Sequence, residues 1–210
     1  MTRTRRDVLA VGGTALLAGV AGCLGSGDGG SPSGETVDSL PTPTLGPADA
    51  PVTVDVFEDY ACPHCMRYST ETFPKVRSTY VDAGVVRYRY YDFPIPVDET
   101  WSYRAASAAR GVQDTQGMQA FFEYQAALYE HFGEYSMELV GQLASRVGAD
   151  PQTIRDAAAN GTYRPVLAAD RRTGVDRGVK GTPAIFVNGS LLPAYDWDTV
   201  RTAIEAGRTA

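Results

Sequence analysis

The alternation of hydrophobic and polar residues predicts the first elements of the fold. Val52, Val54 and Val56 alternate with the residues between them, which is the pattern of a β-strand. A helix is predicted from residue 63 to residue 82, with a kink at Pro74. A second strand is predicted over residues 85–93, which are rich in β-branched and aromatic residues.

The segment from residue 98 to residue 178 has helical periodicity, and stop and cap signals divide it into five helices. The first predicted helix runs from a cap at Thr100 to Gly111, the second covers residues 118–132, and the third runs from Ser136 to Gly148. The fourth covers residues 150–161, and the fifth follows it and ends at about Asp176. Strand patterning then returns at residues 184–187 and 190–192, on either side of the tight-turn pair Asn188-Gly189. Asp196 is predicted to cap a last helix. The order of elements predicts an α/β fold with a helical insertion at about 97–177.

The N-terminal region has the composition of a targeting segment and a linker. Residues 1–22 combine an arginine-containing start with a short, weakly apolar stretch, which resembles a twin-arginine signal peptide. Val20-Ala21-Gly22-Cys23 resembles a lipoprotein cleavage box, so Cys23 is predicted to carry lipid; the alternative is an ordinary signal peptide with an incidental cysteine. Residues 24–50 are rich in glycine, serine and proline and are predicted to form a flexible tether, with the folded domain over 51–210.

Charge narrows the possible functions. The chain of 210 residues has a formal net charge of −6, and no basic patch supports binding to nucleic acid. Its basic residues are almost all arginine, and acidic, lysine-poor chains of this kind resemble proteins of salt-loving archaea; the alternative is a GC-rich genome.

The segment Cys62-Pro63-His64-Cys65 carries the chemistry. Cys62 is predicted at a helix N-terminus, with Pro63 in the first turn, where a missing N–H costs nothing. Backbone N–H groups, the helix dipole and His64 would all lower the pKa of Cys62. Cys65 is almost one turn further on, so the two sulfurs can form a disulfide. We predict Cys62 as the exposed nucleophile and Cys65 as the inner, resolving thiol.

Other interpretations of this segment remain open. A structural zinc site needs about four ligands, and the only cysteine and histidine elsewhere are Cys23 and His131. A static disulfide over so short a loop would stabilise the fold very little. A Cu(I)-binding module could use the two cysteines of the segment with His64 and Met66, which are soft ligands. A structural lipoprotein without redox activity is the third alternative.

Two separated motifs resemble the thioredoxin superfamily, and within it the DsbA-like thiol:disulfide oxidoreductases. They are Phe57-Glu58-Asp59-Tyr60-Ala61-Cys62-Pro63-His64-Cys65 and Gly181-Thr182-Pro183-Ala184-Ile185-Phe186-Val187-Asn188-Gly189. The resemblance implies a cis peptide bond before Pro183. It also implies that the backbone of Thr182 binds the substrate polypeptides of the enzyme, called clients below. One position departs from the family. Many relatives have a buried acidic residue where Val56 stands; Glu58, in a different register, is the residue predicted here as the proton carrier, and the alternative is a solvated turn residue.

The resemblance implies an extracytoplasmic enzyme that exchanges a Cys62–Cys65 disulfide with cysteines of exported proteins. Pro63-His64 matches the oxidising members, so an oxidase is expected; a reductase or an isomerase is the alternative within the same fold. No cofactor and no metal are expected. The expected partners are exported proteins with cysteines and a membrane redox protein that reoxidises the pair. A monomer is expected, anchored to the outer face of the cytoplasmic membrane by lipid on Cys23.

Overall fold

The computed structural model describes residues 36–95 and 97–209. Within them, five strands form one sheet in the order β1-β3-β2-β4-β5. The strands are β1 (Thr44–Leu45), β2 (Val52–Glu58), β3 (Val86–Asp92), β4 (Ala184–Val187) and β5 (Ser190–Leu191). The central strands β2 and β3 are parallel, and every other pairing is antiparallel. The predicted signal peptide and Cys23 lie outside the described residues.

A continuous helical segment, named α1, connects β2 to β3 over residues 63–81. It alternates between α-helix and π-helix: Pro63–Arg67 (α), Tyr68–Thr72 (π), Phe73–Val76 (α) and Arg77–Val81 (π). The first π turn is closed by Phe73 N, which donates to the carbonyl of Tyr68 directly before Pro74. Pro74 has no N–H to continue an α-helical ladder, so the helix widens at the position where the sequence predicted a kink.

The predicted helical insertion lies between β3 and β4 and consists of five helices. They are α2 (Trp101–Gln116), α3 (Met118–Glu130), α4 (Met137–Arg146), α5 (Pro151–Asn160) and α6 (Arg164–Asp176); α7 (Trp197–Arg208) follows the hairpin. The predicted caps Ser136, Asp150 and Asp196 accept hydrogen bonds from the first turns of α4, α5 and α7. The mixed α/β fold with this insertion confirms the predicted fold class.

The predicted start of α2 is confirmed, because Thr100 occupies the N-cap position before Trp101, but the predicted end at Gly111 was wrong. The side chain of Thr100 makes no capping bond; instead Asp98 Oδ1 accepts from the backbone N–H groups of Thr100 and Trp101. Gly111 lies inside the helix, which ends at Gly117. A Cβ at position 111 would lie 3.1 Å from the side chain of Ile154, so this glycine allows α2 and α5 to approach closely.

The two faces of the sheet carry separate cores. The larger core contains Val52, Val54 and Val56 of β2 and packs against α1, α7 and much of the insertion. The smaller core includes Phe57 and Phe93 and is covered by α6. Because successive residues of a strand point to opposite faces, β2 contributes to both cores.

Residues 36–50 belong to the folded domain, which corrects the prediction that they are tether. Val37 and Leu40 pack on a small core between α5 and α6, and Val37 N donates to the carbonyl of Thr162 at 2.9 Å. Pro43 O accepts from Tyr90 N at 2.9 Å, and β1 then pairs with β3. Strand pairing and a few apolar contacts therefore order a segment whose composition alone predicts disorder.

A buried ion cluster connects this segment to the core. Arg110 of α2 is 0% exposed, and its guanidinium group bonds Asp92 at 2.6 Å, Asp170 of α6 and Gln113. The side-chain amide of Gln113 donates to Pro41 O at 2.7 Å. One buried arginine thus links β3, α2, α6 and the N-terminal segment, in the paired state that a buried charge requires.

Candidate active site

Cys62 lies at the N-terminus of α1, directly after the loop that leaves the carboxyl end of β2. Its backbone is extended, Pro63 occupies the first helical position, and Met66 N donates to Cys62 O at 3.1 Å. These observations confirm the predicted start of the helix. The side chain is 3% exposed, so the sulfur is more enclosed than the sequence suggested.

The loop before β4 covers the Cys62 sulfur. Cys62 Sγ lies 3.4 Å from the carbonyl oxygen of Thr182, and the Thr182–Pro183 peptide bond is cis, as predicted. The Thr182 hydroxyl is buried and has no hydrogen-bond partner among the residues described here. It can therefore donate to a Cys62 thiolate, a contact that the sequence did not suggest.

Hydrogen bonds to sulfur lower the pKa of Cys62 to about 5. The largest contribution comes from the Cys65 thiol, followed by the side chain of Thr182 and by the backbone N–H groups of Cys65 and His64; burial acts in the opposite direction. A thiol with an ordinary pKa near 8.5 is a few per cent ionised at pH 7, whereas Cys62 is almost fully a thiolate.

Cys65 has the opposite properties. It is 0% exposed, and burial, together with its hydrogen bond to Cys62, raises the pKa of Cys65 well above the ordinary value. The backbone N–H of Asp59 donates to Cys65 Sγ at 3.4 Å. The two sulfurs therefore differ in chemistry: Cys62 has a lowered pKa and Cys65 is a buried thiol with a raised pKa.

Glu58, the last residue of β2, lies in the core close to both sulfurs. Ser69 Oγ donates to its carboxyl oxygens at 3.0 and 3.2 Å, and Gln125 Nε2 donates at 3.2 Å. Burial raises the pKa of Glu58 well above its usual range, and Cys62 adds to that shift. Glu58 follows Val56 by two residues in β2, so the two side chains point to the same face of the sheet and Glu58 is not in a different register.

Asp59 positions the loop between β2 and α1, a role that the sequence analysis missed. Its carboxylate accepts from Ala61 N at 2.8 Å and from Ile95 N at 2.7 Å. Burial raises the pKa of Asp59 to about 6. The bond to Ala61 spans two residues, which is a local turn pattern that the sequence could have revealed, but the bond to Ile95 is not local.

His64 contributes to the site through its backbone rather than its ring. The exposed ring bonds Tyr195 Oη through Nδ1 at 2.8 Å, while the backbone N–H of His64 helps to lower the pKa of Cys62. The side chain of Met66 packs against the main core. Within the described residues, no three His, Cys, Asp or Glu side chains are grouped as metal ligands.

A shallow cleft adjoins the cis-proline. It has a volume of about 410 Å³ and includes Leu191, whose side chain is 51% exposed. The other lining residues are Gly178, Val179, Lys180, Gly181, Pro183, Ala184 and Leu192. The buried thiolate, the cis-proline loop and this cleft together can hold an extended polypeptide next to Cys62.

Comparisons with known proteins agree with this geometry. A family model described as Thioredoxin matches residues 38–206. The chain is 28% identical over 170 residues to disulfide bond formation protein D of Bacillus subtilis, covering 78% of this chain and 75% of that protein. The crystal structure of oxidised BdbD from B. subtilis superposes with a TM-score of 0.74 and 26% identity, over 84% of this chain and 100% of that one. Chlamydia trachomatis DsbA has a TM-score of 0.72 at 21% identity, over 82% and 94%, and supports the fold.

Proposed function

The chain belongs to the thioredoxin family and is a DsbA-like protein disulfide oxidoreductase, and from this premise we propose that it acts outside the cytoplasm as an oxidase of exported proteins. In this proposal the active group is a disulfide between Cys62 and Cys65. The disulfide accepts the two electrons that the client dithiol loses, so it is itself the oxidant of the exchange.

The unequal pKa values of the two cysteines are the observation that carries the proposal. The pKa of Cys62 is lowered to about 5, while burial raises that of Cys65. A stabilised thiolate favours the reduced form of the pair, and a pair whose reduced form is favoured is a stronger oxidant. Cys62 is also the better leaving group when a mixed disulfide resolves.

The exchange proceeds in two balanced steps. A client thiolate attacks Cys62 Sγ, the Cys62–Cys65 bond breaks, and Cys65 leaves as a thiolate that takes up a proton. A second client thiolate then attacks the client sulfur of the mixed disulfide, and Cys62 leaves as a thiolate. The client loses two electrons and the enzyme gains two, which a membrane redox partner removes to restore the disulfide.

We assign the proton transfer at Cys65 to Glu58. Its carboxyl group is fully buried, and burial, with a smaller contribution from Cys62, raises its pKa well above the usual range, which favours the protonated form that a proton donor needs. Three hydrogen bonds from Ser69 and Gln125 hold the group in place. Thr182 and the cis-proline would hold the client, with an extended client segment pairing with the backbone of Thr182.

The proposed location depends on the N-terminal sequence. Export by the twin-arginine route and a lipid anchor on Cys23 would put the domain at the outer face of the cytoplasmic membrane as a monomer. In the part of the chain that the structure describes, no helix has the length and apolar character of a membrane span. A mass measurement of the mature protein, with and without Cys23→Ser, tests the anchor: only the parent chain should carry lipid.

The oxidase role is tested by equilibrating the full-length protein with glutathione redox buffers at pH 7. A thioredoxin-type pair with a pKa near 7 has a potential of about −270 mV, and a thiolate with a pKa near 5 raises this by about 50 mV. We therefore expect about −220 mV or a less negative value, together with disulfide transfer to a reduced two-cysteine client. Cys62→Ser is the inactive control. A value near −270 mV would instead favour the reductase, and net repair of scrambled disulfides would favour the isomerase.

A further inference from the structure

A second cleft lies on the side of the Cys62 loop that faces the helical insertion. This aromatic cleft has a volume of about 310 Å³ and is lined by Ala61, Asp98, Trp101, Phe132, Gly133 and Tyr135. Ala61 directly precedes the nucleophile Cys62 in the chain, so one wall of the cleft belongs to the loop that carries the nucleophile. None of the exchange steps described above uses it.

Two sets of hydrogen bonds connect the wall of the aromatic cleft to the loop between β2 and α1, which leads to Cys62. Tyr135 Oη donates to the carbonyl oxygen of Tyr60 at 3.0 Å. On the other side, Asp59 accepts from Ile95 N at 2.7 Å, and Ile95 O accepts from Ser102 Oγ at 3.1 Å, within the first turn of α2. The distance between the cleft and Cys62 is therefore set by hydrogen bonds, as a positioning subsite requires.

Three aromatic rings form the cleft, and none is fully buried. The ring centroids of Trp101 and Tyr135 are 5.6 Å apart, and those of Phe132 and Tyr135 are 6.4 Å apart in an edge-on arrangement. Tryptophan, tyrosine and phenylalanine are enriched where proteins bind other polypeptides. A volume of about 310 Å³ is at the lower limit for ligand clefts, so it suits a side chain and its neighbours better than a large cofactor.

The rim of the aromatic cleft is acidic. Asp98 lines it and is exposed, and only its Oδ1 is used in capping α2. Glu134, which is also exposed, directly follows Gly133. A carboxylate beside an aromatic surface favours a ligand that combines an apolar side chain with a positive charge.

We propose that the aromatic cleft selects client polypeptides that carry an aromatic or large aliphatic side chain close to the reacting cysteine and a basic residue next to it. The proposal rests on the proposed disulfide exchange with polypeptides. The apolar side chain packs against Trp101 and Phe132, and the basic residue lies near Asp98. This contact holds the client cysteine beside Cys62 and increases the rate of formation of the mixed disulfide.

The test uses the oxidised full-length protein and reduced peptides that contain two cysteines. The peptides differ at one flanking position (Phe or Ser) and at the next (Arg or Glu), and stopped-flow kinetics gives kcat/KM for each. We expect a Phe/Ser ratio of about ten, which Trp101→Ala reduces to about one. Phe132→Ala, in a different segment, should do the same, which guards against a folding defect in either variant. Val175→Ala, at an exposed residue outside the cleft, is the control that keeps the ratio.

The charge preference is tested separately with Asp98→Asn, which keeps the helix-capping oxygen but removes the charge. We expect the Arg/Glu ratio to be about two to five and to fall to about one in this variant. At 1 M salt the Arg/Glu ratio should also fall, while the Phe/Ser ratio persists.

Two outcomes separate this proposal from the proposed function. Equal rates for all peptides, unchanged by Trp101→Ala, would overturn the selectivity of the cleft while leaving disulfide exchange intact. A protein that is reduced by dithiothreitol but oxidises no peptide would instead contradict the proposed function.

Discussion

Replacing Thr182 by valine tests the link between the cis-proline loop and the oxidising power of the cysteine pair. The Thr182 hydroxyl is buried, has no hydrogen-bond partner among the described residues, and contributes to the lowered pKa of Cys62, for whose thiolate it is a donor. Valine has nearly the same shape but no donor, so the variant isolates this hydrogen bond. The carbonyl oxygen of residue 182, which lies 3.4 Å from Cys62 Sγ, remains in place.

The expected size of the effect follows from the strength of a hydrogen bond to a charged group. Such a bond contributes about 1.5–3 kcal/mol, and about 1.4 kcal/mol corresponds to one pKa unit. The pKa of Cys62 should therefore rise from about 5 to between about 6 and 7. Less thiolate stabilisation makes the reduced form less favourable, so the reduction potential at pH 7 should become about 30–50 mV more negative.

Two assays measure the change. The absorbance of the thiolate near 240 nm, followed against pH, gives the pKa of Cys62, and glutathione equilibria give the potential. The potential of the parent protein should fall by about 59 mV per pH unit below pH 5 and by about 30 mV per unit above it; in Thr182→Val the break should move to the higher pKa. Below pH 5 the two proteins should have equal potentials, since neither holds a thiolate.

Thr182→Ser is the matched control, because it keeps the hydroxyl and should titrate like the parent protein. If Thr182→Val left both the pKa and the potential unchanged, the hydroxyl would not bond the thiolate. The lowered pKa would then have to arise from Cys65 and the backbone alone. An equal shift in the serine variant would point to a packing effect instead.

Three further predictions concern the core and the domain boundary. Burial raises the pKa of Glu58 in the folded protein, so the parent protein loses stability as the pH rises from about 4.3 to that folded pKa. Glutamine does not titrate, so the reduced Glu58→Gln variant should become more stable than the parent as the pH rises through this range. The gain in the free energy of unfolding over the parent should grow by about 1.4 kcal/mol per pH unit in that window, and Cys65 should react more slowly. Arg110→Met should lower the free energy of unfolding in urea by about 3–5 kcal/mol, because it leaves two buried carboxylates without their cation. Deleting residues 36–50 should cost about 2–5 kcal/mol, because strand pairing and two apolar side chains are lost.

Each of these predictions has its control. A pH-independent difference between Glu58→Gln and the parent would mean that the carboxyl group titrates normally in the fold. Arg201→Ala removes an exposed ion pair and should change stability by less than about 0.5 kcal/mol; a similar cost for the two arginine variants would refute the special role of Arg110. An unchanged urea midpoint after deletion of residues 36–50 would restore the domain boundary predicted at Pro51.

The sequence predicted well the features that depend on a few neighbouring residues. The caps at Ser136 and Asp150 and the Asn188-Gly189 turn involve bonds within three residues or backbone angles of single residues. The start of α1 at Pro63 is equally local. These features follow from side-chain reach and allowed backbone angles, which do not depend on the rest of the fold.

Features that depend on packing between distant segments were predicted wrongly or missed. Gly111 is a residue type that often ends a helix, but here it lies inside α2, where a Cβ would be only 3.1 Å from Ile154 of the closely packed α5. Residues 36–50 have the composition of a linker, but β3 offers an unpaired edge that β1 completes. Hydrogen-bonding groups on a sheet edge cannot be seen in the composition of the segment that binds them.

The same distinction holds for the active site. The sequence by itself determined the spacing of Cys62 and Cys65 and the start of the helix directly after Cys62. Only the tertiary structure decided which groups surround the sulfurs: Thr182 comes from 120 residues away, and burial of Glu58 depends on α1 and α3 packing over β2. The pKa of a thiol depends on the distance and solvation of its neighbours, and these are set when separate segments of the chain pack together.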